Sequence, residues 1–220
     1  MTRNILFVTG ENTEIGKTFV ASALITSLRQ RGHLISARKP LQSYGPNEIT
    51  DASVLAKASG EPINKVNRWS YEIPMAPPMA GIWLKQTVPT TEEVLDQLKA
   101  CEHGRCFAVI EGVGGPYSPL TKDGDSISLI THIDPKAILV VIKSGLGGIN
   151  SSLLCLNSLV APNIILHFNR FDRNDPLHNM NIDFISSKLS DIQSEQSQVH
   201  LTTDIEQLGL TCEKIFPKCH

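Results

Sequence analysis

Short apolar runs alternate along the chain with stretches of helical periodicity. The runs have strand length and cover Ile5–Val8, Leu34–Arg38, Phe107–Ile110, Ala137–Ile142 and Asn163–Phe168. After the first run, Phe19, Ala23, Leu24 and Leu28 recur every three or four positions, as on the apolar face of a helix. This alternation predicts an α/β fold with a mostly parallel central sheet, helices on both faces and right-handed crossovers. The 220 residues suit one domain, residues 1–220.

The remaining segments have weaker patterns. We expect a short helix from Asp51, a helix from Thr90 to about Cys101, and helices over Ser151–Val160 and Met180–Ser190. Residues Glu61–Pro89 contain five prolines and read as an irregular connection, either an insertion over a site or simple packing. The tail from Ser194 is polar and weakly patterned, so no element is predicted there.

The loop after the first run predicts a phosphate site. Residues 9–18 read Thr-Gly-Glu-Asn-Thr-Glu-Ile-Gly-Lys-Thr between a strand and a helix. The free N–H groups and dipole of the first helical turn favour an anion, and Gly16 lets the backbone approach it closely. Lys17 adds a positive charge, and the Thr18 hydroxyl can ligate Mg²⁺. Five residues separate Gly10 from Gly16 instead of the usual four, so an ordinary strand-to-helix turn is the alternative.

Charged residues follow two other predicted strand ends, where parallel α/β sheets bind ligands. Lys39 precedes Pro40 and should leave its strand in extended form. Glu111 ends an apolar strand before a glycine-rich turn, and Mg²⁺ shared with Thr18 would offset the cost of burying its carboxylate. Asp51 is either a helix N-cap, which the sequence favours, or a Mg²⁺ ligand. Lys39 as a surface lysine and the glycines as a structural turn are the simpler alternatives.

A second glycine-rich loop, Ser144–Asn150, leads from the most apolar predicted strand into a helix. The N-terminal amides of that helix could bind another anion, for example a carboxylate. The last predicted strand ends at Asn169 and Arg170. Both features lie at the same expected edge of the sheet as the phosphate loop.

Composition narrows the function classes. The chain is 41% apolar and 19% charged with a formal net charge of −2, so no global basic field would recruit nucleic acid or an anionic membrane. No apolar run is long enough to span a bilayer. The five cysteines form no Cys-x-x-Cys pair and the seven histidines have no metal-ligand spacing. We therefore expect a cytoplasmic protein with reduced thiols and no partner membrane or nucleic acid.

Taken in order, several segments resemble the dethiobiotin synthetases, ATP-dependent enzymes of biotin synthesis. The phosphate loop has that family's five-residue glycine spacing and resembles its Thr-Gly-Thr-x-Thr-x-Val-Gly-Lys-Thr. The other matching segments are Lys39–Ser43, Asp51–Ala52, Glu111–Gly115, Ser118–Leu120, Leu146–Asn150 and Asn169. Together they span Thr9 to Asn169, about three quarters of the chain.

The resemblance implies a ligase that uses ATP and Mg²⁺ to combine CO₂ with 7,8-diaminononanoate, in a homodimer. Its implied catalytic residues are Lys39, Lys17 and Thr13. Those implied for the nucleotide are Glu14, Ile15, Gly16, Lys17, Thr18, Asp51, Glu111, Gly112, Val113, Gly114, Asn169 and Arg170, with Thr18, Asp51 and Glu111 holding the metal. Ser43 would bind the diamine, and Gly147, Ile149 and Asn150 would bind its carboxylate tail from the second subunit.

Two departures from the family pattern stand out. Glu11 replaces a threonine, and its charge would repel phosphate unless it points away or pairs with a lysine. The tail segment Val199–Thr203 lacks the proline that usually lines the purine site, which leaves the base preference open. Two other functions remain alternatives. The first is a partitioning or metal-cluster-carrier ATPase; such proteins carry an extra lysine early in the loop, and Asn12 at that position counts against this function. The second is a nucleotide-binding regulatory protein without catalysis.

Overall fold

The computed structural model describes residues 3–99, 107–192 and 197–217. Its helices are α1 Lys17–Gln30, α2 Asp51–Ser59, α3 Ile63–Val66, α4 Pro77–Leu84, α5 Thr91–Lys99, α6 Ser126–Ile133, α7 Gly148–Ser158, α8 Pro176–Ile192 and α9 Ile205–Ile215. Its strands are β1 Arg3–Gly10, β2 Ile35–Arg38, β3 Leu41–Ser43, β4 Trp69–Tyr71, β5 Phe107–Glu111, β6 Pro135–Lys143, β7 Asn163–Asn169 and β8 Gln198–Thr202.

Six strands form the central sheet in the order β2-β5-β1-β6-β7-β8, and every neighbouring pair is parallel. Successive side chains of β1 enter different cores: Ile5 and Phe7 pack in one, and Leu6 and Val8 in the other. The second core also contains residues of α1, α2 and α9, whereas the first contains residues of α5, α6, α7 and α8. The predicted α/β fold with helices on both faces is therefore confirmed.

Two expectations about individual segments are wrong, and one helix was missed. The tail forms β8 and α9, because Leu208, Cys212 and Ile215 recur at helical spacing and are buried against α1. The proline-rich connection contains α3, α4 and β4, which pairs with β3 in a separate two-stranded sheet. Helix α6 was not predicted either, although its Asp125 cap accepts a hydrogen bond from the Ser128 amide.

The ends of several predicted elements also shift. Helix α7 spans Gly148–Ser158 rather than Ser151–Val160, and α8 begins at Pro176 rather than Met180. Phe19 was placed on the apolar face of α1 but is 66% exposed, because Val20, Leu24 and Leu28 define the buried face. The predicted end of α5 at Cys101 lies outside the described residues.

Of the five cysteines, Cys155 and Cys212 fall within the described residues, and both are buried free thiols. Cys101, Cys106 and Cys219 lie outside them. None of the described helices combines the length and apolar character that a membrane span requires.

The parallel sheet determines where the candidate site lies. Strands β1, β2, β5, β6 and β7 all end at the same edge, and each is followed there by residues singled out in the sequence. Open α/β sheets bind their ligands at this carboxyl edge.

Candidate active site

The phosphate loop joins β1 to α1 in a strained conformation. Glu14 has a φ of 59°, and Gly16, the N-cap of α1, has a φ of 94°. A Cβ on Gly16 would lie 2.3 Å from Asn169 Nδ2, so both the backbone conformation and the space require glycine here. No side chain caps α1, so its first-turn N–H groups face the loop without a side-chain acceptor. This is the geometry expected of an anion site.

Lys17 is only 7% exposed, and its Nζ donates a hydrogen bond to the Asn12 carbonyl oxygen at 2.8 Å. Burial, followed by the nearby positive charge of Lys39, lowers the pKa of Lys17 to about 8. Its ammonium group therefore sits inside the phosphate loop without a carboxylate hydrogen-bond partner of its own. A bound phosphate would supply the missing negative charge.

Three oxygen-bearing side chains from different elements converge beside Lys17. Thr18 Oγ1 lies 2.7 Å from Asp51 Oδ1 and 2.9 Å from Glu111 Oε1. The hydroxyl has one proton and can donate it to only one of these carboxylates at a time. The convergence brings together α1, the start of α2 and the end of β5.

Lys39 occupies the centre of this cluster and is 2% exposed. Its Nζ lies 2.7 Å from Glu111 Oε1, 2.7 Å from the Gly112 carbonyl oxygen and 3.1 Å from Asp51 Oδ2. Burial opposes the charged form, but the Glu111 and Asp51 carboxylates outweigh it and raise the pKa of Lys39. Burial likewise opposes ionisation of Asp51, yet Lys39 and the Thr18 hydrogen bond lower the pKa of that carboxyl. The surroundings therefore favour the charged form of Lys39 and the ionised form of Asp51.

Asp51 is not the N-cap that the sequence favoured. Thr50 caps α2 by accepting a hydrogen bond from the Ser53 amide at 3.2 Å, and Asp51 is the first helical residue. The side chain of Asp51 is therefore free to face Thr18 and Lys39. The Gln42 side chain supports this start of the helix by accepting the Ala52 amide.

The residues present fit a magnesium ion. Glu111 Oε2 is buried and has no hydrogen-bond partner among the described residues, an unfavourable state for a carboxylate oxygen unless it meets a cation. Carboxylate and hydroxyl oxygens are the ligand types that Mg²⁺ prefers. Thr18, Asp51 and Glu111 offer two carboxylates and one hydroxyl, and in the described part of the chain no group of three or more His, Cys, Asp or Glu side chains is arranged to hold a metal ion. This small set suits an ion that also binds water and phosphate oxygens.

A cavity of about 610 Å³ opens over these groups. The sequence-predicted residues that line it are Thr13, Glu14, Gly16, Lys17, Thr18, Lys39, Ser43, Asp51, Glu111, Val113 and Gly114. Sequence reasoning missed Tyr44, Glu48, Ser118 and the segment Pro74–Ala76 as lining residues. The segment Pro74–Ala76 belongs to the proline-rich connection and precedes α4. Part of that connection therefore lies over the site, as the first of the two interpretations of this connection proposed. The Pro77 and Pro78 pair, typical of a helix start, was the available signal.

A second cavity of about 380 Å³ also borders the phosphate loop. Asn169 and Arg170 line it with Glu14 and Ile15, and Lys143, Ser144, Gly145 and His178 complete the wall. Asn169 Nδ2 donates to the Ile15 carbonyl oxygen at 2.8 Å, which joins the end of β7 to the phosphate loop. The β8 residues Val199–Thr202 lie outside this lining. Lys143 and His178 were not predicted.

Glu11 does not line the 610 Å³ cavity that Lys17 and Thr18 enter. Its Oε1 accepts a hydrogen bond from the Lys143 amide at 2.9 Å. The carboxylate therefore interacts with the end of β6, which removes the conflict that its position in the sequence suggested.

The predicted tail-binding residues lie apart from the central cavity. Gly147 is the N-cap of α7, with a φ of 86°, and Ile149 and Asn150 are in the first turn. None of the three lines the 610 Å³ cavity within the described chain. Gly112, by contrast, contributes its carbonyl oxygen to Lys39 directly beneath that cavity.

Fold and site together define a P-loop NTPase-type protein. A plasmid partition protein from Borrelia burgdorferi B31 bound to AMPPNP shares the fold, with a TM-score of 0.54 and 10% identity over 98% of each chain. The pNOB8 ParA structure gives a TM-score of 0.56 at 11% identity, covering 90% of this chain and 75% of that one. Identities this low show similarity of fold alone.

Sequence comparison gives the family. The AAA domain family model matches residues 4–187. ATP-dependent dethiobiotin synthetase from Ruthia magnifica is 37% identical over 70% of this chain and 72% of that relative. The enzymes of that name from Caulobacter sp. (strain K31) and Aquifex aeolicus are 34% and 30% identical, and 71% and 67% of their lengths are covered. The chain belongs to the ATP-dependent dethiobiotin synthetase family.

Proposed function

We propose that this chain uses ATP and Mg²⁺ to join CO₂ to 7,8-diaminononanoate and close the cyclic urea of dethiobiotin, a ligase step of biotin biosynthesis. The observation that carries the proposal is the cluster of Lys39, Thr18, Asp51 and Glu111 beside the phosphate loop, in one cavity. The curated relatives, all named ATP-dependent dethiobiotin synthetase, give the reaction class.

The reaction needs charge stabilisation rather than a nucleophilic side chain. One substrate amine attacks the carbon of CO₂ and loses a proton, which gives a carbamate. A carbamate oxygen attacks the γ-phosphorus, and ADP leaves. The second amine then attacks the carbonyl carbon of this mixed anhydride, closing the ring and releasing phosphate and a proton. Every intermediate before ring closure is anionic, so positioned cations lower the barriers.

The two lysines have different roles in this scheme. Lys17 and the amides of residues 14–18 would hold the ATP phosphates. Lys39 would stabilise the carbamate and the anionic transition states, exchanging part of its contact with Glu111 for the substrate. Thr18, Asp51 and Glu111 would hold Mg²⁺, which supplies further positive charge to the phosphates. Support for the exchange is that Lys39 is charged and already faces the cavity.

The remaining groups would orient the substrates. Thr13 and Ser43 line the central cavity and would contact the diamine or its carbamate. The amides of Gly112, Val113 and Gly114 would approach the reacting anion. Asn169 and Arg170, in the second cavity, would contact the adenine. The carboxylate tail would bind to Gly147, Ile149 and Asn150 of a second subunit in a homodimer.

The proposal places the enzyme in the cytoplasm. ATP is available there, and the buried free thiols of Cys155 and Cys212 would remain reduced. The relatives that support the assignment carry the name of an ATP-dependent enzyme.

The decisive experiment supplies the purified protein with MgATP, 7,8-diaminononanoate and isotopically labelled bicarbonate. We expect diamine-dependent release of phosphate and one labelled carbon per product, in a cyclic urea identified by mass spectrometry. ATP hydrolysis that is independent of the diamine would instead favour a partitioning-type ATPase. Nucleotide binding without hydrolysis would favour a regulatory protein, and either result would contradict the proposal.

Replacing Lys39 tests its assigned role. We expect Lys39→Ala to lower turnover at least about a hundred-fold, as when a group that stabilises transition-state charge is removed, while AMPPNP binding changes little. Lys65→Ala, which removes an exposed lysine from α3, is the control and should leave turnover unchanged. Near-normal turnover in Lys39→Ala would remove Lys39 from the mechanism.

A further inference from the structure

The glycine loop, residues 144–150, is fixed from one side by a buried asparagine of α8. Asn181 is 5% exposed, and its Nδ2 donates hydrogen bonds to the carbonyl oxygens of Ser144 at 2.8 Å and Gly145 at 3.1 Å. A side chain that binds two successive carbonyl groups determines both the position and the orientation of that backbone segment. Asn181 touches neither of the cavities described above, so the proposed chemistry gives it no direct role.

The same segment continues into the nucleotide side of the molecule. The buried Ser144 hydroxyl donates to the Asn169 carbonyl oxygen at 2.8 Å. Asn169 Nδ2 then donates to the Ile15 carbonyl oxygen at 2.8 Å, inside the phosphate loop. A continuous path of hydrogen bonds therefore runs from α8 through the start of the glycine loop and the end of β7 to the phosphate loop.

A second connection joins the two loops at their other side. Glu11, the first residue of the phosphate loop after β1, accepts the amide of Lys143, the last residue before the glycine loop. The glycine loop itself folds tightly, since a Cβ on Gly148 would lie 2.4 Å from the Lys143 carbonyl oxygen. A displacement of the phosphate loop would therefore move the glycine loop as well, because that loop is compact and is connected to the phosphate loop at two points.

We propose that Asn181 and Glu11 are positioning residues: Asn181 holds the start of the glycine loop to α8 and Glu11 joins that loop to the phosphate loop, so that nucleotide bound to one subunit favours binding of the substrate carboxylate that its glycine loop contacts across the dimer interface. The proposal rests on the proposed function, because it takes Gly147, Ile149 and Asn150 as the tail-binding groups. Coupling of two binding sites is reciprocal: if nucleotide tightens diamine binding, diamine tightens nucleotide binding by the same factor.

The test compares Asn181→Leu, which keeps a similar volume but has no donor, with Asn179→Leu. Asn179 lies on the same helix and also donates to two carbonyl groups, but those of Arg173 and Asp175, away from the glycine loop. In the wild type, saturating Mg-AMPPNP should slow hydrogen exchange at the amides of residues 147–150, which do not line the nucleotide cavity. It should also tighten diamine binding roughly five-fold or more, the lower end of typical coupling between sites.

In Asn181→Leu both effects of the nucleotide should disappear, while diamine binding without nucleotide stays the same. Asn179→Leu should behave as the wild type. An Asn181→Leu protein that keeps the full nucleotide-dependent protection would overturn the proposal, as would a wild type in which the nucleotide protects none of these amides. The exchange measurement needs no diamine, so it remains decisive even if the labelled-bicarbonate assay contradicts the proposed function.

Glu11 provides an independent variant pair if Asn181→Leu folds poorly. Glu11→Gln keeps an oxygen that can accept the Lys143 amide, whereas Glu11→Ala removes it. We expect Glu11→Ala to lose the nucleotide effect on residues 147–150 and Glu11→Gln to retain it. In turnover measurements, Glu11→Ala should have a higher KM for the diamine than the wild type, with little change in kcat. Equal behaviour of the two variants would contradict the role given to Glu11.

Discussion

Lys17, at the start of α1, and Lys39, just after β2, enter one cavity, and their ammonium groups have different neighbours. Lys39 contacts the carboxylates of Glu111 and Asp51, which raise its pKa despite complete burial. Among the described residues Lys17 hydrogen-bonds only a carbonyl oxygen, that of Asn12, and burial lowers its pKa to about 8. Burying the charged Lys17 therefore destabilises the nucleotide-free protein, and a bound anion would offset this destabilisation.

The charged form of Lys17 makes the stability of the nucleotide-free protein depend on pH. Its pKa is about 8 in the folded protein, against an ordinary lysine value of 10.5, so the unfolded chain binds more protons between these limits and stability rises with pH there. We expect Lys17→Met to raise the free energy of unfolding at pH 7 by up to about 3 kcal/mol, a gain that fades as the pH rises from 8 to 10.5. Urea unfolding across this pH range measures it.

Lys65→Met is the matched control, because Lys65 is exposed on α3. It should show no pH-dependent difference from the wild type. With saturating Mg-AMPPNP the wild type should be more stable than Lys17→Met, because the bound phosphate would stabilise the charged Lys17, which the variant lacks. A Lys17→Met protein that is less stable at pH 7 without nucleotide would contradict this account.

At the scale of elements, the first turn of α2 places Asp51. Thr50 caps this helix, and losing such a cap costs about 1 kcal/mol. We expect Thr50→Ala to lower stability by that amount and also to raise the Mg²⁺ concentration needed for half-maximal turnover, because a frayed first turn releases Asp51 from Thr18. Thr50→Ser, which keeps the cap oxygen, should restore both.

Asp204→Ala provides the comparison for this experiment. Asp204 caps α9 by accepting the Gln207 amide and lies on an element that does not reach the central cavity. Its loss should destabilise the protein to a similar extent without changing the Mg²⁺ requirement. If both cap variants shift the Mg²⁺ requirement equally, the effect reflects stability and not the position of Asp51.

Elements with strong periodicity could be predicted from the sequence, and those fixed by tertiary packing could not. The runs Phe107–Ile110 and Ala137–Ile142 are apolar on both faces, so their burial follows from composition alone. Strand β8 has only Val199 and Leu201 as apolar residues, and it exists because β7 offers it a parallel edge. Likewise, the choice between Thr50 and Asp51 as cap depends on Lys39 and Thr18, which are distant in sequence.

At the scale of the whole molecule, the all-parallel sheet explains why ordered motifs were sufficient to predict most of the site. The phosphate loop, Lys39, Glu111, the glycine loop and Asn169 each lie at or just after the end of a strand of this sheet, and parallel strands bring all their carboxyl ends to one edge. The walls of the cavity were harder to predict, because Pro74–Ala76 and Tyr44 reach it through the separate β3–β4 sheet. The direction of Glu11 was equally inaccessible, since it depends on the register between β1 and β6.

The same sheet carries a buried histidine that should limit stability in acid. The ring of His167 on β7 forms a hydrogen bond with the Thr202 hydroxyl on β8, and burial lowers the pKa of His167 from its ordinary value of 6.5 to about 4. The unfolded chain therefore binds more protons between pH 6.5 and 4, and stability present above 6.5 is lost as the pH falls through 4. We expect this loss to reach about 3 kcal/mol and to be absent in His167→Gln.

Urea unfolding between pH 7 and 4, with the exposed His132→Gln as control, would measure this loss of stability. His200, whose pKa burial also lowers, should leave a smaller slope in both variants. A His167→Gln protein with the full acid sensitivity of the wild type would show that His167 is not its main source.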